Sequence, residues 1–241
     1  MIGGSSGVGR ALVGLLAERQ EPVLATARDM RDLDALQRDC AVRLGGHVIV
    51  QAADIAAPDF DADAFLKECA DRLGSITHLF LSVGAISEED RGIPDDEELA
   101  YLTIVNYTRP AQLLGAFYRH FEKNGYGHAV VFSSIAAGAP RGNNAAYASA
   151  KAALEFYCRA LQHYFSRSDV LVHVCRLGYI DTSMTFGLKL RFPIVSPSAA
   201  AEYAIRLSET KVRFAYFPSF WSLVAAILKI TPWPVYKRLR F

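Results

Sequence analysis

Cysteine is scarce in this chain: four in 241 residues, none in a Cys-x-x-Cys and none spaced as metal ligands. That leaves little basis for a disulfide framework or a structural zinc site. Cys40, Cys69, Cys158 and Cys175 therefore read as buried, reduced thiols, which suits a cytoplasmic protein, and no metal ligand set is expected. An excess of either charge is also missing, since 26 Lys and Arg stand against 25 Asp and Glu for a net charge of +1. Nucleic acid would call for a basic patch or stripe, so it is not an expected partner. No apolar run reaches the ~20 residues of a membrane span, and no signal peptide, repeat, linker or low-complexity tract is evident. The histidines His47, His78, His120, His128, His163 and His173 are scattered without paired carboxylates and read as structural or surface groups. The acidic run Glu88-Glu89-Asp90 with Asp95-Asp96-Glu97-Glu98 reads as a solvated loop and a helix start.

What the chain does have is apolar material in quantity, 51% of residues, enough for the core of one α/β domain. Apolar strands near 23–27, 47–51, 77–82, 128–133, 170–175 and 212–217 alternate with helical stretches over 11–19, 31–44, 62–73, 97–121, 146–165 and 198–208. That alternation predicts a doubly wound parallel sheet of the dinucleotide-binding (Rossmann-like) kind in a single domain, residues 1–217. Residues 218–241 form an apolar and basic C-terminal extension, belonging to the same domain or to a membrane-interface segment. A dinucleotide fold enters its glycine loop from a central strand of about five residues, yet this chain reads Met1-Ile2 before Gly3. The first strand is expected to be largely missing, through a late start or a trimmed chain.

Chemistry concentrates in two places. Tyr147 and Lys151 stand four apart, so on a helix the ammonium lies one turn from the phenol and is expected to lower its pKa toward neutrality. Ser134 precedes Tyr147 by thirteen residues and follows the apolar run Ala129–Phe132, a buried parallel strand ending where open α/β sheets bind ligands. At the N-terminus Gly3-Gly4-Ser5-Ser6-Gly7-Val8-Gly9 leads into an amphipathic helix whose amides suit a pyrophosphate. At the end of the next strand, where NAD-binding folds usually carry an acidic residue, Ala27 is followed by Arg28. A guanidinium binds phosphate through several charge-assisted bonds, and Ser5 adds a hydroxyl, so NADP(H) is favoured over NAD(H).

From Ile2 to about Phe217 the chain resembles the short-chain dehydrogenase/reductase family, classical type. Gly3, Gly7 and Gly9 match its glycine motif; Ser134, Tyr147 and Lys151 match its catalytic serine, tyrosine and lysine. Asn106 matches the helix asparagine that supports a water-linked proton relay there. The resemblance implies cofactor contacts at Gly3, Ser5, Ser6, Gly7, Val8, Gly9, Arg28, Asp54, Ile55, Gly84, Tyr147, Lys151, Gly178, Ile180 and Thr182. Among these, Asp54 matches the acidic residue on the adenine amino group, and Thr182 a threonine that reaches the nicotinamide amide. The sequence departs from the family where Asn-Asn-Ala-Gly appears as Leu81-Ser82-Val83-Gly84-Ala85, which keeps the glycine and loses both asparagines, and where Pro-Gly becomes Leu177-Gly178.

The expected function is an NADP(H)-dependent oxidoreductase that interconverts a carbonyl and an alcohol, with Tyr147 as acid and base. The loop 178–196, with Tyr179, Ile180, Met184, Phe186, Leu188, Leu190, Phe192 and Ile194, is an expected lid that favours a lipophilic substrate. The tail from Phe217 to Ile230, then Trp233 and the basic end Lys237-Arg238-Leu239-Arg240, suits a peripheral membrane contact or packing on the lid or another subunit. The family resemblance implies a homo-oligomer. The alternative function is a non-catalytic NADP(H)-binding sensor or scaffold, which the lost asparagines and short first strand motivate.

Overall fold

The computed structural model describes residues 1–88, 90, 92–187 and 192–239. Glu89, Leu188, Leu190 and Arg240, named above in the acidic run, the lid and the basic end, fall outside them. The strands are β1 (Val23–Ala27), β2 (Val48–Ala52), β3 (His78–Leu81), β4 (Tyr126–Ser134), β5 (Asp169–Leu177) and β6 (Phe214–Phe217). All pair in parallel, β1 with β2, and β3 to β6 in sequence order.

Met1–Gly3 joins these two groups. The Ile2 amide donates to Phe80 and its carbonyl accepts from Ser82, both at 2.9 Å, while the Thr26 amide donates to the Met1 carbonyl at 2.9 Å. The terminal ammonium donates to the Leu24 carbonyl at 2.7 Å. Where a full central strand would run, Ile2 alone bridges both neighbours. Strand order therefore reverses at Gly3, and ligands of open α/β sheets bind at such a reversal.

Helices cover both faces. Helix α1 (Gly7–Glu18) and α7 (Pro197–Ser208) pack on one side; α3 (Ala62–Leu73), α5 (Arg109–Asn124) and α6 (Ala145–Tyr164) pack on the other. Helix α2 (Met30–Asp39) covers the β1–β2 edge through Leu33 and Leu36. The strand cores are continuously apolar because both faces are covered; Ala129–Phe132 of β4 is buried throughout.

Local sequence fixes the helix starts. Asp29, Asp61, Asp95 and Ser196 accept first-turn amides of α2, α3, α4 (Asp96–Thr103) and α7 respectively, each such cap contributing about 1 kcal/mol. The expected helix over 97–121 contains a π turn, Ile104–Thr108, between α4 and α5; such insertions often mark functional sites. Beyond β6 the extension folds into α8 (Trp221–Ile230) and the short α9 (Trp233–Tyr236). Among the described residues, no helix is long and apolar enough to cross a membrane.

Candidate active site

The carboxyl ends of β3 and β4 and the start of α6 bring the four expected catalytic groups together. Ser134 closes β4, its Oγ accepting the Ala136 amide at 3.2 Å, and its hydroxyl is near enough to the Tyr147 phenol to favour the ionised form. Lys151, one turn along α6, is 4% exposed. Its Nζ donates to the Val83 carbonyl at 2.8 Å and the Phe132 carbonyl at 3.4 Å, and lies 6.0 Å from the centre of the Tyr147 ring.

These contacts set the protonation states. Burial lowers the Lys151 pKa from 10.5 to about 8. Burial also raises the Tyr147 phenol above its ordinary value of 10, with the Ser134 hydroxyl and the Arg141 charge pulling back. Tyr147 as a residue is only half-buried. The sequence reading expected Lys151 to lower this phenol. The structure gives the opposite net direction, because desolvation outweighs the pull of Ser134 and Arg141 and the ammonium is directed at two backbone carbonyls.

Asn106 sits fully buried in the π turn. Its Nδ2 donates to the Ala85 and Leu102 carbonyls at 2.9 Å, and its Oδ1 accepts the Ala85 amide at 3.1 Å. The segment Val83–Ala85, directly after the positions where the family asparagines are lost, is thus clamped by Asn106 and Lys151. Gly84 makes the clamp possible, since a Cβ there would stand 3.1 Å from Asn106 Oδ1 and 3.3 Å from Lys151 Nζ.

A cavity of about 180 Å³ adjoins this cluster at the strand reversal. Gly3, Ser5, Ser6, Arg28, Asp54, Ile55 and Gly84 line it, as expected for cofactor contacts. Thr26, Ser82, Tyr101 and Val105 also line it and carry no sequence signal that marks them. Gly7, Val8, Gly9, Tyr147, Lys151, Gly178, Ile180 and Thr182 lie outside its lining. Thr182 lies close to Gly7, its Cγ2 3.1 Å from where a Cβ would be. The Ile180 side chain packs in the core beside Val8 and Leu12. The cavity fits a dinucleotide phosphate: α1 begins at Ser6 with no side-chain cap, unlike α2, α3, α4 and α7. Asp29 is already engaged as the α2 cap and with Arg31, which leaves the neighbouring Arg28 facing the cavity.

Gly178 has a second role. Its amide donates to Phe217 at 2.8 Å, and the Trp221 indole fills the space a side chain would take. Trp221 also meets Tyr179 and Phe192, with ring centres 5.3 and 4.7 Å away. The first turn of α8 therefore packs on the lid, and Tyr236 of α9 donates to the Pro140 carbonyl at 2.6 Å. Another residue breaks the expectation of a solvated acidic loop: Asp90 is 1% exposed and accepts the amides of Ala146 and Tyr147 at 3.0 and 2.9 Å. Periodicity cannot reveal an acid that caps a helix from so far away in sequence.

Residues 1–190 match the short chain dehydrogenase family. The chain belongs to the short-chain dehydrogenase/reductase family. This short-chain dehydrogenase/reductase is 31% identical over 212 residues to an uncharacterized oxidoreductase of Mycobacterium tuberculosis, covering 83% of this chain and 60% of that protein. The chain thus spans 60% of the length of the first curated relatives it matches. A second uncharacterized oxidoreductase of M. tuberculosis is 26% identical over 243 residues, covering 99% of this chain and 95% of the relative. Among solved structures, a short-chain dehydrogenase from Sphingobium yanoikuyae in complex with NADPH superposes with a TM-score of 0.80 at 21% identity, covering all of this chain and 95% of the other. That likeness concerns the fold.

Proposed function

We propose that this short-chain dehydrogenase/reductase is an NADP(H)-dependent oxidoreductase that interconverts a carbonyl and an alcohol on a lipophilic substrate. The observation that carries the reading is the clustering of Ser134 at the end of β4 with Tyr147 and the buried Lys151 ammonium of α6. The reduced nicotinamide, when bound, supplies the hydride. Ser134 orients the carbonyl oxygen and Tyr147 gives it a proton. A phenol held above its ordinary pKa is protonated at neutral pH, which suits the reducing direction. Lys151 holds the floor formed by Val83 and Phe132, and Asn106 fixes the neighbouring backbone. A sensor or scaffold needs none of this cluster, so the catalytic reading is preferred.

Arg28 supports NADP(H) as the cofactor, with Ser5 and Ser6 on the same cavity. Fluorescence titration with NADPH and NADH tests this: NADPH binds tighter, and Arg28→Ala removes most of the difference. Equal affinities in the unaltered protein count against the assignment.

Exposed apolar side chains around the lid, Met184, Phe186, Phe192, Ile194 and Phe220, support a lipophilic substrate. On α8, Leu223, Ile227 and Ile230 are 65%, 52% and 80% exposed at helical spacing, with Lys229, Lys237 and Arg238 nearby. This pattern supports contact of a cytoplasmic enzyme with an anionic lipid surface. Vesicles containing phosphatidylserine are expected to co-sediment the protein but not the Leu223→Ser, Ile227→Ser, Ile230→Ser variant. On α6, Phe156 and Tyr164 stay exposed and support a homo-oligomer formed over that helix, which sedimentation of the Phe156→Glu variant tests.

A further inference from the structure

Helix α6 starts in an unusual way. Its N-cap Asn144 has φ 61° and supplies no side-chain cap, so the first-turn amides need another acceptor. Asp90 provides it from the loop after β3. One carboxylate oxygen accepts the Ala146 amide at 3.0 Å and the other accepts the Tyr147 amide at 2.9 Å. The Asp90 carbonyl meanwhile accepts the Asn144 amide at 2.6 Å. A buried carboxylate with both oxygens on N–H groups makes charge-assisted bonds at the end of the helix where negative charge is favoured. A second contact joins the same two segments, since a Cβ on Gly92 would stand 3.4 Å from the Gly142 carbonyl.

Through this clamp the acid grips the backbone of Tyr147 itself. We infer that Asp90 is a positioning residue for catalysis: its carboxylate docks the loop after β3 onto α6 and fixes where the Tyr147 hydroxyl stands relative to Ser134 and the substrate oxygen. The inference rests on Tyr147 being the acid and base. Asparagine cannot replace the carboxylate, because its NH₂ would face one of the two amides that need an acceptor. A displacement of an ångström at the reacting group can cost about 100-fold in rate, so the clamp matters to kcat before it matters to cofactor binding.

Two measurements test it on the full chain. In the unaltered protein, the Ala146 and Tyr147 amides are expected to be protected from hydrogen exchange, although first-turn amides are ordinarily free; fast exchange at both overturns the clamp. Kinetics of Asp90→Asn are then compared with Asp61→Ala, which removes the cap in which one Asp61 oxygen accepts two first-turn amides of α3, remote from the site. The expected result is a kcat at least about 10-fold lower in Asp90→Asn, with NADPH affinity unchanged, and unaltered kcat in Asp61→Ala. Equal kcat in both variants, or a loss of NADPH affinity parallel to the loss of kcat, overturns the positioning role. Should Asp90→Asn not fold, Asp90→Ser keeps one acceptor and is read the same way. Turnover persisting in Tyr147→Phe would remove the premise about Tyr147 and leave the exchange result to judge the clamp alone.

Discussion

The Lys151 ammonium donates to the Val83 carbonyl at 2.8 Å. That bond directs a buried charge at the backbone just after the positions where the family asparagines are absent. Lys151 thus does structural work there, and its hold on the Tyr147 phenol is correspondingly weak in this state.

A neutral replacement is therefore expected to separate activity from stability. Burial lowers Lys151 from 10.5 to about 8, so below pH 8 the charged form is disfavoured in the fold by up to about 3 kcal/mol. Between about 8 and 10.5 the unfolded chain binds the extra proton, and this group's contribution to stability rises with pH. Lys151→Met is expected to lose turnover by about 100-fold or more while melting no lower than the unaltered protein at pH 7. Its advantage in melting temperature is expected to shrink as pH is raised toward 10. A variant that is both unstable and insensitive to pH contradicts this reading of the buried charge.

Acid sensitivity is expected at the far end of the sheet. His173 is fully buried; its Nδ1–H donates to the Val212 carbonyl at 2.6 Å, and Nε2 has no hydrogen-bond partner among the described residues. Burial lowers its pKa from 6.5 to about 4. In that window the unfolded chain takes up a proton that the fold refuses, so stability falls as pH drops from about 6.5 toward 4, by up to about 3 kcal/mol. Urea midpoints at pH 7.5 and 5.0 measure the loss, and in His173→Leu part of it disappears. The same pH slope in both proteins assigns the loss to other groups.

Trp221 couples the extension to the lid. Cutting it to alanine removes the ring that fills the space beside Gly178 and meets Tyr179 and Phe192. A loss of about 3 kcal/mol in stability is expected, with KM for a lipophilic ketone raised and NADPH affinity little changed. If thermal melts and KM both match the unaltered protein, the extension has no part in the lid.

Much of this was legible in the sequence, for identifiable reasons. The strand cores are continuous apolar runs, and Ser134, Tyr147 and Lys151 keep fixed spacings along one strand and one helix, so both survive a purely local reading. Gly3, Arg28 and Asp54 lie at strand ends, where topology alone brings them to one cavity. Asp90 was missed because its partners are distant in sequence and its acidic neighbours suggest solvent. The direction of the Tyr147 pKa was missed because spacing gives proximity to Lys151 but not the desolvation of the hydroxyl. For the tail that holds Trp221, sequence leaves membrane contact and packing on the lid both open, and only the folded chain sets the indole against Gly178.

The central claim is that Tyr147 moves the proton in an NADP(H)-dependent reduction. Its most direct test is NADPH oxidation with long-chain ketones by the unaltered protein and by Tyr147→Phe, with NADPH binding measured on both. The account predicts turnover in the first, a loss of about 100-fold or more in the second, and equal NADPH binding. Unchanged turnover in Tyr147→Phe, or none in either protein while NADPH still binds, would contradict it and favour a non-catalytic NADP(H)-binding role.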